Sequence, residues 1–123
     1  MDYEKILRRC NELMWSTSLD EIDNFLPELM WAYDMLDLDN TREIDWYELC
    51  RDNEYIRMSN EKADTKKTDK LIDAETRKIA KEKYPLMNEH KCIARHLNMY
   101  INQLESRKIK LMSDRKQWDL SFN

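Results

Sequence analysis

The 123-residue chain contains no glycine. A backbone without glycine has few places where φ turns positive. Tight hairpin turns, phosphate-cradling loops and nucleophile elbows all need that freedom. The absence therefore argues against a P-loop, a dinucleotide fold, an α/β-hydrolase and most β architectures. Proline occurs only twice, at Pro27 and Pro85. No apolar run approaches the ~18 residues of a membrane span. The charged start MDYEKILRRC leads into no apolar stretch, which rules against a secretory signal. Cys10, Cys50 and Cys92 are scattered and form no CxxC, so neither a disulfide framework nor a zinc site is expected. Each lies on or beside an apolar helical face and reads as a small buried hydrophobe. A reducing cytoplasm is the setting that fits.

Helices remain, and the apolar residues recur at helical spacing. The expected fold is all-α, a small bundle of about four or five helices with a long C-terminal helix or helical hairpin. Tyr3, Ile6, Leu7, Cys10, Leu13 and Met14 make one stripe over residues 2–15. Ser16-Thr17-Ser18 breaks it, and Ser18 with Glu21 forms a capping box. A second helix carries Leu19, Ile22, Leu26, Leu29, Met30, Tyr33 and Leu36. Pro27 either kinks that helix or restarts it at a first-turn position. Asn40 with Glu43 makes another capping box, which ends this helix near Leu38 and starts a third at Thr41. Residues 59–68 are either a solvated helix or a break with Thr68 as a cap. The helical pattern returns over 69–84, with Leu71, Ile72, Ile79, Ala80 and Tyr84 inward. Pro85 disfavours helical geometry at Tyr84 and predicts a turn or kink. A last helix over 86–118 carries Leu86, Ile93, Leu97, Tyr100, Leu104, Leu111 and Trp118 near heptad spacing, with Lys108 and Arg115 interrupting the seam. It packs on a helix of the same chain or of a second copy. The chain thus reads as an acidic helical region (1–58), a polar connector or helix continuation (59–68) and a basic helical hairpin (69–123).

The most metal-like stretch is DLDNTREIDWYEL, residues 37–49. On a twelve-residue calcium loop, Asp37, Asp39, Thr41, Asp45 and Glu48 fall at ligand offsets, but Arg42 occupies the glycine position. The capping box at Asn40 explains the same residues as an acidic turn between two helices, so no metal and no cofactor is expected.

Catalysis has little to stand on. His90 and His96 do not share a helical face. Cys92 and His96 do, and a Cys–His pair can activate a thiolate, yet no loop supplies an oxyanion site. No catalytic residue is assigned, and the protein is expected to work by binding.

Charge is what the chain has in abundance, and it is uneven. Residues 1–61 hold six basic and sixteen acidic residues, a balance of −10; residues 62–123 hold fifteen and nine, a balance of +6. Such asymmetry points to an interaction surface, or to two halves that complement each other. Lys66, Lys70, Arg77 and Lys81 fall within ~60° of one another on an ideal helix, with Asp73 among them. Arg107, Lys108, Lys110, Arg115 and Lys116 form a second basic cluster. Rows of cations neutralise phosphates and release counterions, giving salt-sensitive and sequence-tolerant affinity. Tyr84, Tyr100 and Trp118 are candidates to stack on unpaired bases, with Tyr100 the one expected in the core. The acidic half, with Trp15, Trp31 and Trp46, is a candidate docking surface for a protein, since dense carboxylates imitate a phosphate backbone.

The segment ETRKIAKEKYPLMNEHKCIARHLNMYINQLESRKIKLMSDRKQW, residues 75–118, resembles small helical proteins of tailed bacteriophages, in particular the UvsY-type recombination mediators. It shares a lysine-rich approach, a long final helix with tyrosine and leucine stripes, and a Ser-Arg pair followed by basic residues, here Ser106-Arg107-Lys108. The resemblance implies a non-enzymatic homo-oligomer that binds single-stranded DNA or a protein–DNA complex in recombination or replication. The last helix would supply oligomer contacts, and Lys66 to Lys81 with Arg107 to Lys116 the phosphate contacts. A small helical inhibitor of a host defence nuclease, of anti-CRISPR type, is the alternative. Either would act in the host cytoplasm, with no membrane involved.

Overall fold

The computed structural model describes residues 2–61 and 68–122. They form four helices: α1 (Tyr3–Leu13), α2 (Leu19–Asn60), α3 (Asp69–Lys83) and α4 (Met87–Phe122). Among the described residues there is no strand and no positive φ. The fold is all-α, as the missing glycine and the helical spacing of the apolar residues lead one to expect. No helix among them is long and apolar enough to cross a membrane.

Local chemistry sets most helix ends. Asp2 caps α1 by accepting the Lys5 N–H at 3.2 Å. Ser18 Oγ accepts the Glu21 N–H at 3.4 Å, the expected half of the capping box at the start of α2. The other half is rerouted. Ser16 Oγ accepts the Ser18 N–H at 3.0 Å and donates to the Glu21 carboxylate at 3.3 Å. Thr68 caps α3 through the Leu71 N–H. Tyr84, kept out of helical geometry by Pro85, closes α3 with φ −126° and ψ 66°.

The third expected helix is not separate. α2 runs unbroken from Leu19 to Asn60, through the Asn40–Glu43 box and through Pro27. The acidic turn near 37–41 is therefore corrected to continuous helix. No glycine is present to end a helix in the left-handed conformation there. Residues 62–67 lie outside the described residues.

The described chain forms two compact units. Unit 1 comprises residues 1–37 and 92–123, unit 2 residues 38–91. Each draws on both the acidic and the basic stretch of sequence. Unit 1 holds the main core: Cys10 and Leu13 from α1, Ile22, Phe25, Leu26, Leu29 and Leu36 from α2, and Ala94, Leu97, Ile101 and Leu104 from α4. These are the i, i+3, i+4, i+7 positions of three stripes meeting face to face. Each fully buried leucine contributes about 1.5–3 kcal/mol from apolar burial. Tyr100 packs against this core, as expected. Met30, carried on the same helix, is exposed.

Unit 2 is thinly cored. Among the described residues its buried side chains are Asn40, Ile72, Thr76 and Ala80. Thr76 satisfies its buried hydroxyl by donating to the Asp73 carbonyl at 2.8 Å. Ile44, Tyr47, Cys50 and Ile79 are half-buried around them. Leu71 and Leu86, expected inward, are exposed; Leu71 sits on the outward side of α3 and Leu86 in the turn before α4.

Candidate functional site

The α3 cations lie opposite the helix's buried side. Ile72, Thr76 and Ala80 face inward, while Lys70, Arg77, Lys78 and Lys81 face water. On an ideal helix these four fall within ~100° of one another. Arg77 pairs with Asp73 at 3.1 Å, both largely exposed. Lys70, Lys78 and Lys81 have no ion pair among the described residues. Arg77, Lys78 and Lys81 line a shallow depression with Ala74, Glu82 and Pro85. Lys78 was not among the residues singled out from sequence. Its i+4 relation to Ala74 and i−3 relation to Lys81 were the available signal. Lys66 lies outside the described residues.

The second basic cluster is divided. Arg107 donates from Nε and Nη2 to the Ser16 carbonyl at 3.0 and 2.9 Å, holding the α1–α2 connection against α4. Lys108 pairs with Asp23 of α2 at 2.5 Å. Arg115 lies beside Thr17, Ser18, Leu19 and Asp20 at the start of α2. Lys110 and Lys116 face water. Lys108 and Arg115 interrupt the heptad seam because they continue the line of Leu104 and Leu111 toward α2. Position on the helix thus turns Arg107 and Lys108 into internal ties of unit 1 and leaves Lys110 and Lys116 outward.

In unit 2 the calcium-like stretch is helix, so the twelve-residue loop does not form. Among the described residues no group of three or more His, Cys, Asp or Glu is placed to hold a metal ion. The residues of the supposed cap have other partners. Asn40 Nδ2 donates to the Met87 carbonyl at 2.9 Å, and the Glu43 carboxylate lies 2.6 Å from His90 Nδ1. Both link α2 to the first turn of α4. Sequence reasoning found Asn40 and Glu43 by their spacing and gave them a local role; the partners are 47 residues away.

No protein-family model, curated protein or solved structure matches the chain. The remaining candidates are therefore judged by their surroundings alone. Cys10 is buried in unit 1, and desolvation pushes its thiol up to about 12, which leaves it inert. Cys50 is half-buried and Cys92 exposed, a correction to the expectation that all three are buried. His96, one turn from Cys92, is exposed as well.

Large apolar side chains also face water. Trp15 is 83% exposed, Trp31 56% and Trp46 52%, all within the acidic part of the chain. Trp46 stacks on Tyr84 with ring centroids 6.4 Å apart and planes at 30°. Tyr84 is thus engaged by its own chain. Trp118 is exposed.

Proposed function

We propose that the protein acts by binding, and that its ligand is single-stranded nucleic acid gripped through the phosphate backbone along α3. The observation that carries this reading is the outward row Lys70, Arg77, Lys78 and Lys81, set opposite the buried face of the helix. Three of these cations lack an ion pair among the described residues, so a phosphate chain would meet charge not already neutralised. Arg107 and Lys108 contribute to the fold of unit 1 instead. The resemblance of residues 75–118 to UvsY-type mediators points the same way and suggests a phage accessory factor of recombination or replication. Titration of labelled single-stranded DNA tests the reading. Binding should weaken steeply with salt, and K70E/K78E/K81E should abolish it at low salt. Salt-indifferent binding, or none at low salt, rejects it.

A second reading rests on a different observation, the exposed Trp15 and Trp31 within the acidic stretch of the sequence. Tryptophans anchor protein interfaces, and the carboxylates suit a cationic groove such as that of a nuclease. In this reading the protein is an inhibitor that docks on a protein. Its complex would survive K70E/K78E/K81E and be lost on Trp15→Ala with Trp31→Ala.

A further inference from the structure

Cations in a row grip any phosphate chain, duplex included, because they read charge alone. Nothing in the α3 row selects a single strand. A single strand differs by the flat faces of its unpaired bases, so the selecting group has to be aromatic, exposed and close to the row. Unit 2 holds such a group. Trp46 of α2 lies over Tyr84, ring centroids 6.4 Å apart and planes at 30°. Tyr84 is half-buried, whereas Trp46 is 52% exposed. Tyr84 thus backs the indole, and about half of Trp46 stays open to water.

The pair sits where α3 ends. Tyr84 closes that helix, and Pro85, the next residue, lines the depression shared by Arg77, Lys78 and Lys81. Positive charge turns the corner with them. Lys83, the last residue of α3, is exposed and on an ideal helix falls ~20° from Thr76, on the other side from Lys81. Arg42, one turn before Trp46 on α2, is exposed too. Neither has an ion pair among the described residues. Exposed carboxylates flank the pair as well: Asp39 and Asp45 on α2, Glu82 on α3 and Glu89 on α4. They repel a phosphate and leave a neutral base unaffected. Phosphates therefore belong with the lysines of α3, and the group suited to the indole is a base.

We propose that Trp46, backed by Tyr84, is the platform on which one unpaired base of the bound strand stacks, while the phosphates follow Lys78, Lys81 and Lys83 round the end of α3. The platform rests on the nucleic-acid reading of α3 and supplies what the cations lack, a preference for unpaired bases. In a duplex the bases stack on each other and their faces are closed to the indole. Stacking also tolerates any sequence, because every base has a flat face.

Two strands of equal length test it on the full chain: an oligothymidylate, and the same backbone with abasic sites in place of its bases. At low salt the wild type should bind the oligothymidylate roughly tenfold more tightly, the weight of one stacked base. Trp46→Leu should erase that difference and leave the salt slope unchanged, since the phosphate contacts stay. Trp46→Phe should keep most of it, and circular dichroism checks that both variants keep their helices. With Trp15, Trp31 and Trp118 changed to Phe, Trp46 is the one indole left. The oligothymidylate should then quench its emission, and the abasic strand should not. The strand comparison in wild type and the quenching leave Trp46 in place, so they decide even where Trp46→Leu loses its fold. Equal, salt-sensitive binding of both strands by the wild type overturns the platform and leaves the phosphate reading standing. A folded Trp46→Leu that keeps the preference, or an emission that no strand moves, overturns it too and leaves the exposed indole to a protein partner. If neither strand binds at low salt, the platform and the phosphate reading fall together.

Discussion

Arg107 and Lys108 show how one residue's position outweighs its type. Both belong to a basic run, yet one caps a carbonyl and the other pairs with Asp23. Arg107→Ala should cost about 1.5–3 kcal/mol, the range for a hydrogen bond to a charged group, read as a lower urea midpoint. The same change should leave DNA affinity nearly intact, whereas Lys81→Glu should weaken DNA binding with little effect on stability. The cysteines form a second residue-scale contrast. With the protein folded near neutral pH, a thiol reagent should label Cys92 promptly and reach Cys10 only on unfolding. Cys10 has its thiol raised in the folded state, so the neutral form is the one folding favours. Its contribution to stability is complete below the unfolded value near 9.0 and fades as pH rises toward about 12. Comparing wild type with Cys10→Ala across that window isolates it.

At the scale of elements, the continuity of α2 is the main finding. A turn at Asn40 would make Thr41 the first helical residue, a position that welcomes proline. A continuous helix makes the same position interior, where proline removes a hydrogen bond and clashes with the preceding turn, at about 3 kcal/mol or more. Thr41→Pro should therefore be strongly destabilising in thermal melts; a neutral outcome would restore the two-helix reading. The Asn40 side chain is buried and donates to the Met87 carbonyl, so Asn40→Ala should cost about 1 kcal/mol or somewhat more. The stripes of α1, α4 and the first part of α2 were legible in the sequence because burial on one face of a helix writes a period of three and four into the chain. The break at 40 was misread because a capping box looks the same whether its side chains turn back to the local backbone or reach across to another helix.

For the whole molecule, burial is uneven between the units. Eleven buried residues make one cluster in unit 1, while unit 2 is held by a few buried side chains, the Asn40 and Glu43 contacts and the Trp46–Tyr84 stack. Local stability follows buried apolar contact. Amide hydrogen exchange should be slowest in the core segments 22–36 and 94–104 and faster over 42–58 and 70–82. Uniform protection across both would contradict this account. Leu97→Ala, in the middle of the unit 1 core and fully buried, should cost about 2–5 kcal/mol.

The sequence alone determined that the chain is helical, where its apolar stripes run, and that its charge is lopsided. These are local properties: backbone freedom is set residue by residue, and periodicity shows within a few turns. Tertiary structure decided which polar residues are already occupied. Ser16 meets Arg107 across 91 positions, and Glu43 meets His90 across 47. A pattern read along one helix gives the direction a side chain points, but its partner is fixed only when another helix arrives there.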